Sequence, residues 1–369
     1  MIKQYFLSLG CMFFVLQITA QKYEFQTVKD IEALPIISQD QTGTCWSFST
    51  TSFLESEIFR ISGKKIDLSE MYNVRQTYTK KAFNYVMRQG KAQFGEGGLN
   101  HDIINSAREF GLMPQEIFGG YTGNIKTYNH SKMLEELTDL LKKYADPSQK
   151  LDPEWKNKVS KILDDNFGVV NPEFVFEDKK YTPMVYLESL KLPLNDYVTI
   201  TSFTHEPFYS SFILSIPDNF SNGSYYNLPL DEYMQNIDNA IDKGFTLALD
   251  TDVSEITFSG RYGIAVIPND TADAEIILQE IKPERVISSD FRQTEFENFD
   301  TTDDHLMHIV GKMKDQNGSF YYKVKNSWGT EGSNNGFVYM SVAFMRLKSI
   351  SVLLHKDGLM TATKEKLKL

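Results

Sequence analysis

Two segments far apart in this sequence contain the residue types that acyl transfer at amide bonds requires. Residues 39–49 place Cys45 at the predicted start of a helix, and residues 303–329 include His305 and Asn326. A cysteine thiolate is a nucleophile, an imidazole serves as its base, and an asparagine carbonyl orients that imidazole. The sequence therefore predicts attack on amide carbonyls by the thiol of Cys45.

The neighbours of these residues add to that prediction. A free cysteine has a pKa of about 8.5, and we expect the helix start and a nearby imidazolium to lower the pKa of Cys45. Gln39, six residues before Cys45, is predicted to donate its amide N–H to the developing oxyanion together with the Cys45 backbone N–H. Asn326 is expected to accept the histidine N–H, and Trp328 to shield that hydrogen bond from water. The alternatives are a buried, inert cysteine and an ordinary β-turn around Asn326.

Two histidines compete for the role of base. His305 and His308 open the strand that precedes Asn326, and their spacing of three places them on opposite faces of that strand. Only one of them can therefore face Cys45, and their spacing alone does not choose between them. His130 and His355 lie among polar residues and are expected to be exposed.

No metal or cofactor is predicted. The sequence has no His-Glu-x-x-His motif, no EF-hand loop and only one cysteine beyond the N-terminal segment. Asp303 and Asp304 are expected to be a solvated pair beside the base.

The sequence pattern is helical early and rich in strands late. A helix is predicted from Cys45 to near residue 61 with Gly63 after it, and Ser69 is the predicted cap of a second helix. Residues 133–144 and 155–163 show helical spacing, the latter behind Asp152 and closed by Gly168. Strands are predicted at residues 197–201, 246–249, 263–267, 307–313, 320–324 and 336–340.

Composition excludes two classes of protein. The 38 Lys and Arg residues against 49 Asp and Glu residues give a net charge of -11, without a run of basic residues. Nucleic-acid binding through phosphate contacts is therefore not expected. An aromatic content of 13% is too high for a disordered chain.

The N-terminal residues have the pattern of a secretory signal peptide. Lys3 precedes a largely apolar stretch over residues 5–18, and Ala20 ends a plausible cleavage site, so residues 1–20 are the predicted signal peptide. The alternative is a lipoprotein site at Cys11. We expect an exported protein, periplasmic or extracellular, with no membrane segment after cleavage, no internal disulfide and Cys45 as its lone thiol.

These motifs resemble those of the papain-like cysteine peptidases. Gln39 and Gly43-x-Cys45-Trp46-Ser47-Phe48 are similar to the nucleophile motif of that family, and Asn326-Ser327-Trp328-Gly329 is similar to its third motif. The resemblance implies that the pair Gly97-Gly98 lines the non-primed substrate cleft, and we assign Trp328 to substrate binding with it.

Within that family the chain most resembles the bleomycin hydrolase and aminopeptidase C group. The long interval between nucleophile and base fits this group, and so does His305-Leu306-Met307, which selects His305 over His308. The resemblance implies an aminopeptidase. Members of the group are usually cytosolic and end in a C-terminal arm whose carboxylate selects free N-termini, whereas this sequence stops at residues 366–369 and is expected to fall short of such an arm. An endopeptidase with an open cleft and a non-catalytic peptide-binding protein are therefore kept as alternatives.

The fold implied by the resemblance is α+β with two lobes, one helical and one an antiparallel β-barrel-like lobe, with the cleft between them. We expect one peptidase domain over residues 21–369. Its parts are a helical lobe mainly at 45–125, a helical insertion at about 126–180, a β-rich lobe at about 181–345 and a C-terminal tail at 346–369. Peptide substrates are the expected partners, and an oligomer is compatible with the sequence.

Overall fold

The computed structural model describes residues 22–124, 126–148 and 150–369. The predicted signal peptide, with Cys11, lies outside the described residues. Within the described ranges, no helix is both long enough and apolar enough to cross a membrane.

Helices dominate the first half of the chain, as the sequence predicts. They are α1 (Cys45–Ser62), α2 (Glu70–Met87), α3 (Asn100–Phe110), α4 (Ser131–Ala145), α5 (Trp155–Phe167), α6 (Pro183–Leu190), α7 (Leu230–Asp242), α8 (Ser289–Glu297), α9 (Val342–Lys348) and α10 (Thr361–Leu367). The strands are β1 (Phe25–Asp30), β2 (Phe174–Phe176), β3 (Lys179–Tyr181), β4 (Tyr197–Thr201), β5 (Ser211–Ile213), β6 (Ser224–Asn227), β7 (Leu247–Thr251), β8 (Phe258–Ser259), β9 (Ile264–Ala265), β10 (His305–Asp315), β11 (Phe320–Lys325), β12 (Phe337–Ser341) and β13 (Ser349–His355).

Local capping fixes where the helices begin and end. Gly63 ends α1 with a left-handed φ of 70°, which glycine adopts without steric cost, and Ser69 caps α2 by accepting the Tyr72 N–H. Asp152 was predicted to cap α5, but it lies two residues before the residue that does so, Glu154. The Asp152 carboxylate accepts the Glu154 N–H at 2.9 Å in a turn that precedes α5.

The large sheet has the strand order β5-β6-β4-β13-β7-β10-β11-β12-β9-β8, and β1 also pairs with β10. Most pairs are antiparallel, as expected for this lobe, but β4 with β6 and β9 with β12 are parallel, so the sheet is mixed. The segment 346–369, expected to be a tail, contains β13, which lies between β4 and β7 in the sheet.

Helix α1 and strand β10 form the seam between the helical and β-rich halves. The Ser49 hydroxyl donates to the Met307 carbonyl at 2.6 Å, and Ser52 bonds the ring of His308 at 3.0 Å. Phe53 is fully buried in the same core cluster as Leu306. Because α1 starts at Cys45 and β10 starts at His305, this packing brings the two ends together.

Candidate active site

Cys45 is the first residue of α1, and its thiol is buried against the beginning of β10. The backbone N–H groups of Leu306 and Trp46 lie within hydrogen-bonding reach of the sulfur. Trp46 has no exposed surface and donates its indole N–H to the Glu96 carbonyl at 2.9 Å. The sulfur therefore has two backbone N–H groups within reach, one from its own helix and one from the residue that follows His305.

His305 is buried and paired with Asn326. The distance from His305 Nε2 to Asn326 Oδ1 is 2.8 Å, and the same oxygen accepts the Ser327 N–H at 2.8 Å. An amide oxygen accepts only, so the Nε2 nitrogen is protonated and Nδ1 is left as the basic nitrogen of the neutral ring. Trp328 lies over the imidazole with ring centroids 4.6 Å apart, and 46% of its surface is exposed. This indole therefore covers part of the imidazole of His305.

Gln39 links the cysteine loop to the asparagine motif. Its Nε2 donates to the Thr42 carbonyl at 2.6 Å, and its Oε1 accepts the Ser327 hydroxyl at 2.6 Å. Its backbone N–H donates to the Ser327 carbonyl at 2.8 Å. A primary amide has two protons on nitrogen, so one N–H of Gln39 remains for another acceptor.

The other histidines occupy different surroundings. His308 lies behind the site, where it bonds Ser52, and its Nε2 is buried without a hydrogen-bond partner within the described residues. The expectation that His130 and His355 are exposed is wrong, since 5% and 6% of their surfaces are accessible. His130 packs edge-on against the Phe167 ring, and burial lowers its pKa to about 4.

The glycine pair lies beside the nucleophile, and neither position has room for a side chain. A Cβ at Gly98 would lie 3.0 Å from the Trp46 ring, the indole next to Cys45. A Cβ at Gly97 would lie 1.9 Å from the carboxylate of Asp218, which overlaps it. Glycine at position 97 thus lets a carboxylate reach the wall that the resemblance assigns to the substrate cleft.

The electrostatics of the thiol differ from the expectation. Burial raises the pKa of Cys45 to about 12, and the carboxyl groups of Asp303 and Asp218 add to that increase, while the Leu306 and Trp46 N–H groups oppose it. Burial also lowers the pKa of His305 to about 4, although its bond to Asn326 favours the protonated ring. The free protein therefore favours a neutral thiol beside a neutral imidazole.

Asp303 is not solvated as expected. Its carboxyl oxygens are buried and interact with the buried carboxyl of Asp250 and with the Asp218 backbone N–H, whereas Asp304 is exposed and accepts the Thr302 hydroxyl at 2.7 Å. Burial and the nearby Asp218 carboxyl raise the pKa of Asp303 to about 7. Nothing in the sequence around Asp218 indicates a role at this site, because Pro217-Asp218-Asn219 has only the features of an ordinary turn.

In the part of the chain that the structure describes, no group of three or more His, Cys, Asp or Glu side chains is arranged to hold a metal ion.

Comparison with known proteins assigns this chain to a family. The model of the Peptidase C1-like family matches residues 15–369. Aminopeptidase G of Lactobacillus delbrueckii subsp. lactis is 22% identical over 370 residues, which cover 88% of this chain and 81% of that protein. Aminopeptidase C of Streptococcus thermophilus is 21% identical over 377 residues, which cover 89% of this chain and 82% of that protein.

A shorter match and a solved structure agree with this assignment. Human (Homo sapiens) cathepsin L2 is 36% identical over 67 residues, 15% of this chain and 20% of that protein. The crystal structure of PepW from Lactobacillus rhamnosis HN001 superposes with a TM-score of 0.72 at 15% identity, covering 93% of this chain and 84% of that one. Because the superposition with PepW includes nearly the whole chain, the papain-like α+β fold is confirmed.

Proposed function

Because the chain belongs to the Peptidase C1-like family and is a cysteine peptidase, we propose that it is an aminopeptidase whose nucleophile is Cys45. The observation that carries the proposal is the His305–Asn326 bond directly beside the strand residue whose N–H reaches the Cys45 sulfur. The names of the relatives, Aminopeptidase G and Aminopeptidase C, support removal of N-terminal residues.

In the proposed first step, His305 accepts the thiol proton at Nδ1 while the sulfur of Cys45 attacks the substrate carbonyl carbon. The bond between His305 Nε2 and Asn326 keeps the ring in the tautomer that this transfer needs. The carbonyl oxygen becomes an oxyanion, which accepts the Cys45 backbone N–H and the remaining amide N–H of Gln39. His305 then returns the proton to the leaving amine, and the C–N bond breaks to give a thioester.

In the second step, His305 takes a proton from water and the resulting hydroxide attacks the thioester carbonyl. The C–S bond breaks, the thiolate of Cys45 recovers its proton from His305, and the free amino acid leaves. Because burial favours the neutral forms of both Cys45 and His305, proton transfer accompanies attack in this scheme and does not precede it.

The position of Asp218 bears on the choice between exopeptidase and endopeptidase. Its carboxylate fills the space beside Gly97, so a long substrate lying along that wall would meet a charged group. An open cleft, as the endopeptidase alternative requires, is therefore disfavoured.

Hydrolysis of matched fluorogenic substrates tests the proposal. Leucyl- and alanyl-coumarin amides, each with a free or an acetylated amine, are compared under reducing conditions for the wild-type protein and for Cys45→Ala. We expect the free-amine forms to be cleaved much faster than the acetylated forms, and neither form to be cleaved by Cys45→Ala. Cleavage of the acetylated forms at a similar rate would make the protein an endopeptidase, and undiminished activity of Cys45→Ala would remove the proposed nucleophile.

We also propose that the protein is exported to the periplasm or the extracellular space. The support is the charged and apolar pattern of residues 1–20 and the presence of Cys45 as the only cysteine beyond that segment. Intact-mass measurement of the protein from its host tests this proposal. Export predicts a mature chain that begins at Gln21, while a full-length chain in the cytosol would contradict it.

A further inference from the structure

We propose that the carboxylate of Asp218 binds the free N-terminal ammonium group of the substrate and so gives the enzyme its aminopeptidase selectivity. The inference rests on the proposed function and names the residue that selects its substrates. An aminopeptidase must distinguish an ammonium group from an acylated nitrogen, and a fixed carboxylate near the nucleophile provides that distinction.

Asp218 reaches the helical half from a segment between β5 and β6 of the β-rich half. Its Oδ1 accepts the Gln93 amide N–H at 3.2 Å, and its Oδ2 lies closest to the position of a Cβ at Gly97. The Ser221 hydroxyl donates to the Asp102 carboxylate of α3 at 2.6 Å. The segment thus crosses from one half to the other and places a carboxylate against the glycine pair.

The turn that carries Asp218 is held by its own hydrogen bonds. The side-chain nitrogen of Asn219 donates to the carbonyls of Leu214 and Gly223 at 2.9 and 3.0 Å, and its oxygen accepts the Gly223 N–H at 2.7 Å. The Lys81 ammonium lies 5.3 Å from the centre of the Phe220 ring. A recognition group needs such support, because a carboxylate on a loose loop discriminates poorly between ligands.

Lys81 is the cation that acts on Asp218, and its charge opposes the increase that burial causes in the pKa of that carboxyl. Within the described residues the Lys81 ammonium donates to the Gly97 carbonyl, and the hydrogen bond to Asp218 Oδ1 comes from Gln93, so Lys81 and Asp218 form no direct ion pair. The carboxyl of Asp303 is near that of Asp218 and pairs with the buried carboxyl of Asp250, so three acidic groups lie close together here. An ammonium bound at Asp218 would lie near Asp303 as well.

Binding of that ammonium also bears on the nucleophile. The negative charges of Asp218 and Asp303 both raise the pKa of Cys45. A substrate ammonium offsets these charges and thereby makes it easier for the thiol to lose its proton to His305 during the attack. An acetylated substrate brings no positive charge and leaves the Asp218 carboxylate desolvated without a partner. The correct substrate is therefore both bound and activated through one contact.

The test uses Asp218→Asn, which keeps the shape of the side chain and removes its charge. Ser221→Ala is the matched control, because it breaks the contact of the same turn with Asp102 and leaves the carboxylate in place. We expect Asp218→Asn to reduce kcat/KM for leucyl-coumarin amide by at least about tenfold, with little change for the acetylated substrate. Ser221→Ala should keep the wild-type ratio between the two substrates.

A binding measurement separates this inference from the proposed function. Calorimetry with Cys45→Ala protein compares leucyl-alanine amide with its acetylated form, and then repeats the pair in Cys45→Ala/Asp218→Asn. Tighter binding of the free amine, lost with Asp218→Asn, supports the inference even if Cys45 proves not to be the nucleophile. A preference for the free amine that survives Asp218→Asn, or an equal loss for both peptides, overturns the role of Asp218 and leaves the peptidase assignment standing.

Discussion

Replacing Gln39 with alanine tests the oxyanion contact that the geometry implies. The change removes the amide that donates to Thr42 and accepts from Ser327, and it retains the backbone bond to the Ser327 carbonyl. Loss of one oxyanion donor costs about 2.7–4 kcal/mol in the transition state, so kcat should fall by about 10²- to 10³-fold. The two lost side-chain bonds are each worth about 1 kcal/mol, which gives about 2 kcal/mol of lost stability.

Ser327→Ala is the control that separates catalysis from positioning. It removes the same bond between Ser327 and Gln39 but retains the amide N–H. We expect about 1 kcal/mol of lost stability and a decrease in kcat of less than about tenfold. Kinetics with leucyl-coumarin amide and denaturant unfolding give both quantities for both variants. The reasoning is refuted if Gln39→Ala retains kcat within about threefold of wild type, or if Ser327→Ala is equally impaired.

Three further predictions follow from the structure. Asn326→Ala leaves the buried imidazole N–H without its 2.8 Å partner, so kcat/KM should fall by about 10- to 100-fold; an unchanged value contradicts the orienting role. Gly97→Ala forces the Asp218 carboxylate aside and should lower the ratio of the hydrolysis rates of the free-amine and acetylated substrates. Gly95→Ala should leave this ratio unchanged, because the nearest atom to its added Cβ is 3.7 Å away. Equal ratios in both variants would contradict this prediction. The folded-state pKa of His130 is lowered from 6.5 to about 4, so its contribution to stability is lost as the pH falls from about 6.5 to 4. His130→Phe should therefore lose about 2 kcal/mol less stability than wild type between pH 7 and pH 5 in denaturant unfolding, and an identical loss would show that His130 is not the cause.

Local signals made part of the fold predictable. The helix that starts at Cys45, the serine cap at Ser69 and the strand at residues 197–201 all depend on neighbouring residues, and the structure has each of them. Strand β13 shows no such signal. It is a central strand with both faces buried, so its sequence lacks the alternation of polar and apolar residues that marks a half-exposed strand.

The candidate site shows the same division. Cys45, His305, Asn326 and Gln39 could be chosen from motifs, since each has a characteristic neighbourhood in sequence. Asp218 could not be chosen in this way, because it is far from these motifs in sequence and only the fold brings its carboxylate next to Gly97.

Burial of charged and polar groups was the least predictable property of the site. Two adjacent aspartates read as solvent-exposed, yet the fold turns the carboxyl of Asp303 inward and leaves that of Asp304 at the surface. The pKa of Cys45 is raised, and not lowered as a helix start alone predicts, because burial acts on it first and the charges of Asp303 and Asp218 add to that effect.

The most direct test of the central claim is the site of modification by leucyl chloromethyl ketone, an alkylating analogue of a free-amine substrate. One equivalent is added to the reduced protein, residual activity is measured, and peptide mapping locates the adduct. The account predicts a single adduct on Cys45, complete loss of peptidase activity and much slower reaction of the N-acetylated reagent. Activity that survives full modification of Cys45, or inactivation by an adduct on another residue, would contradict it.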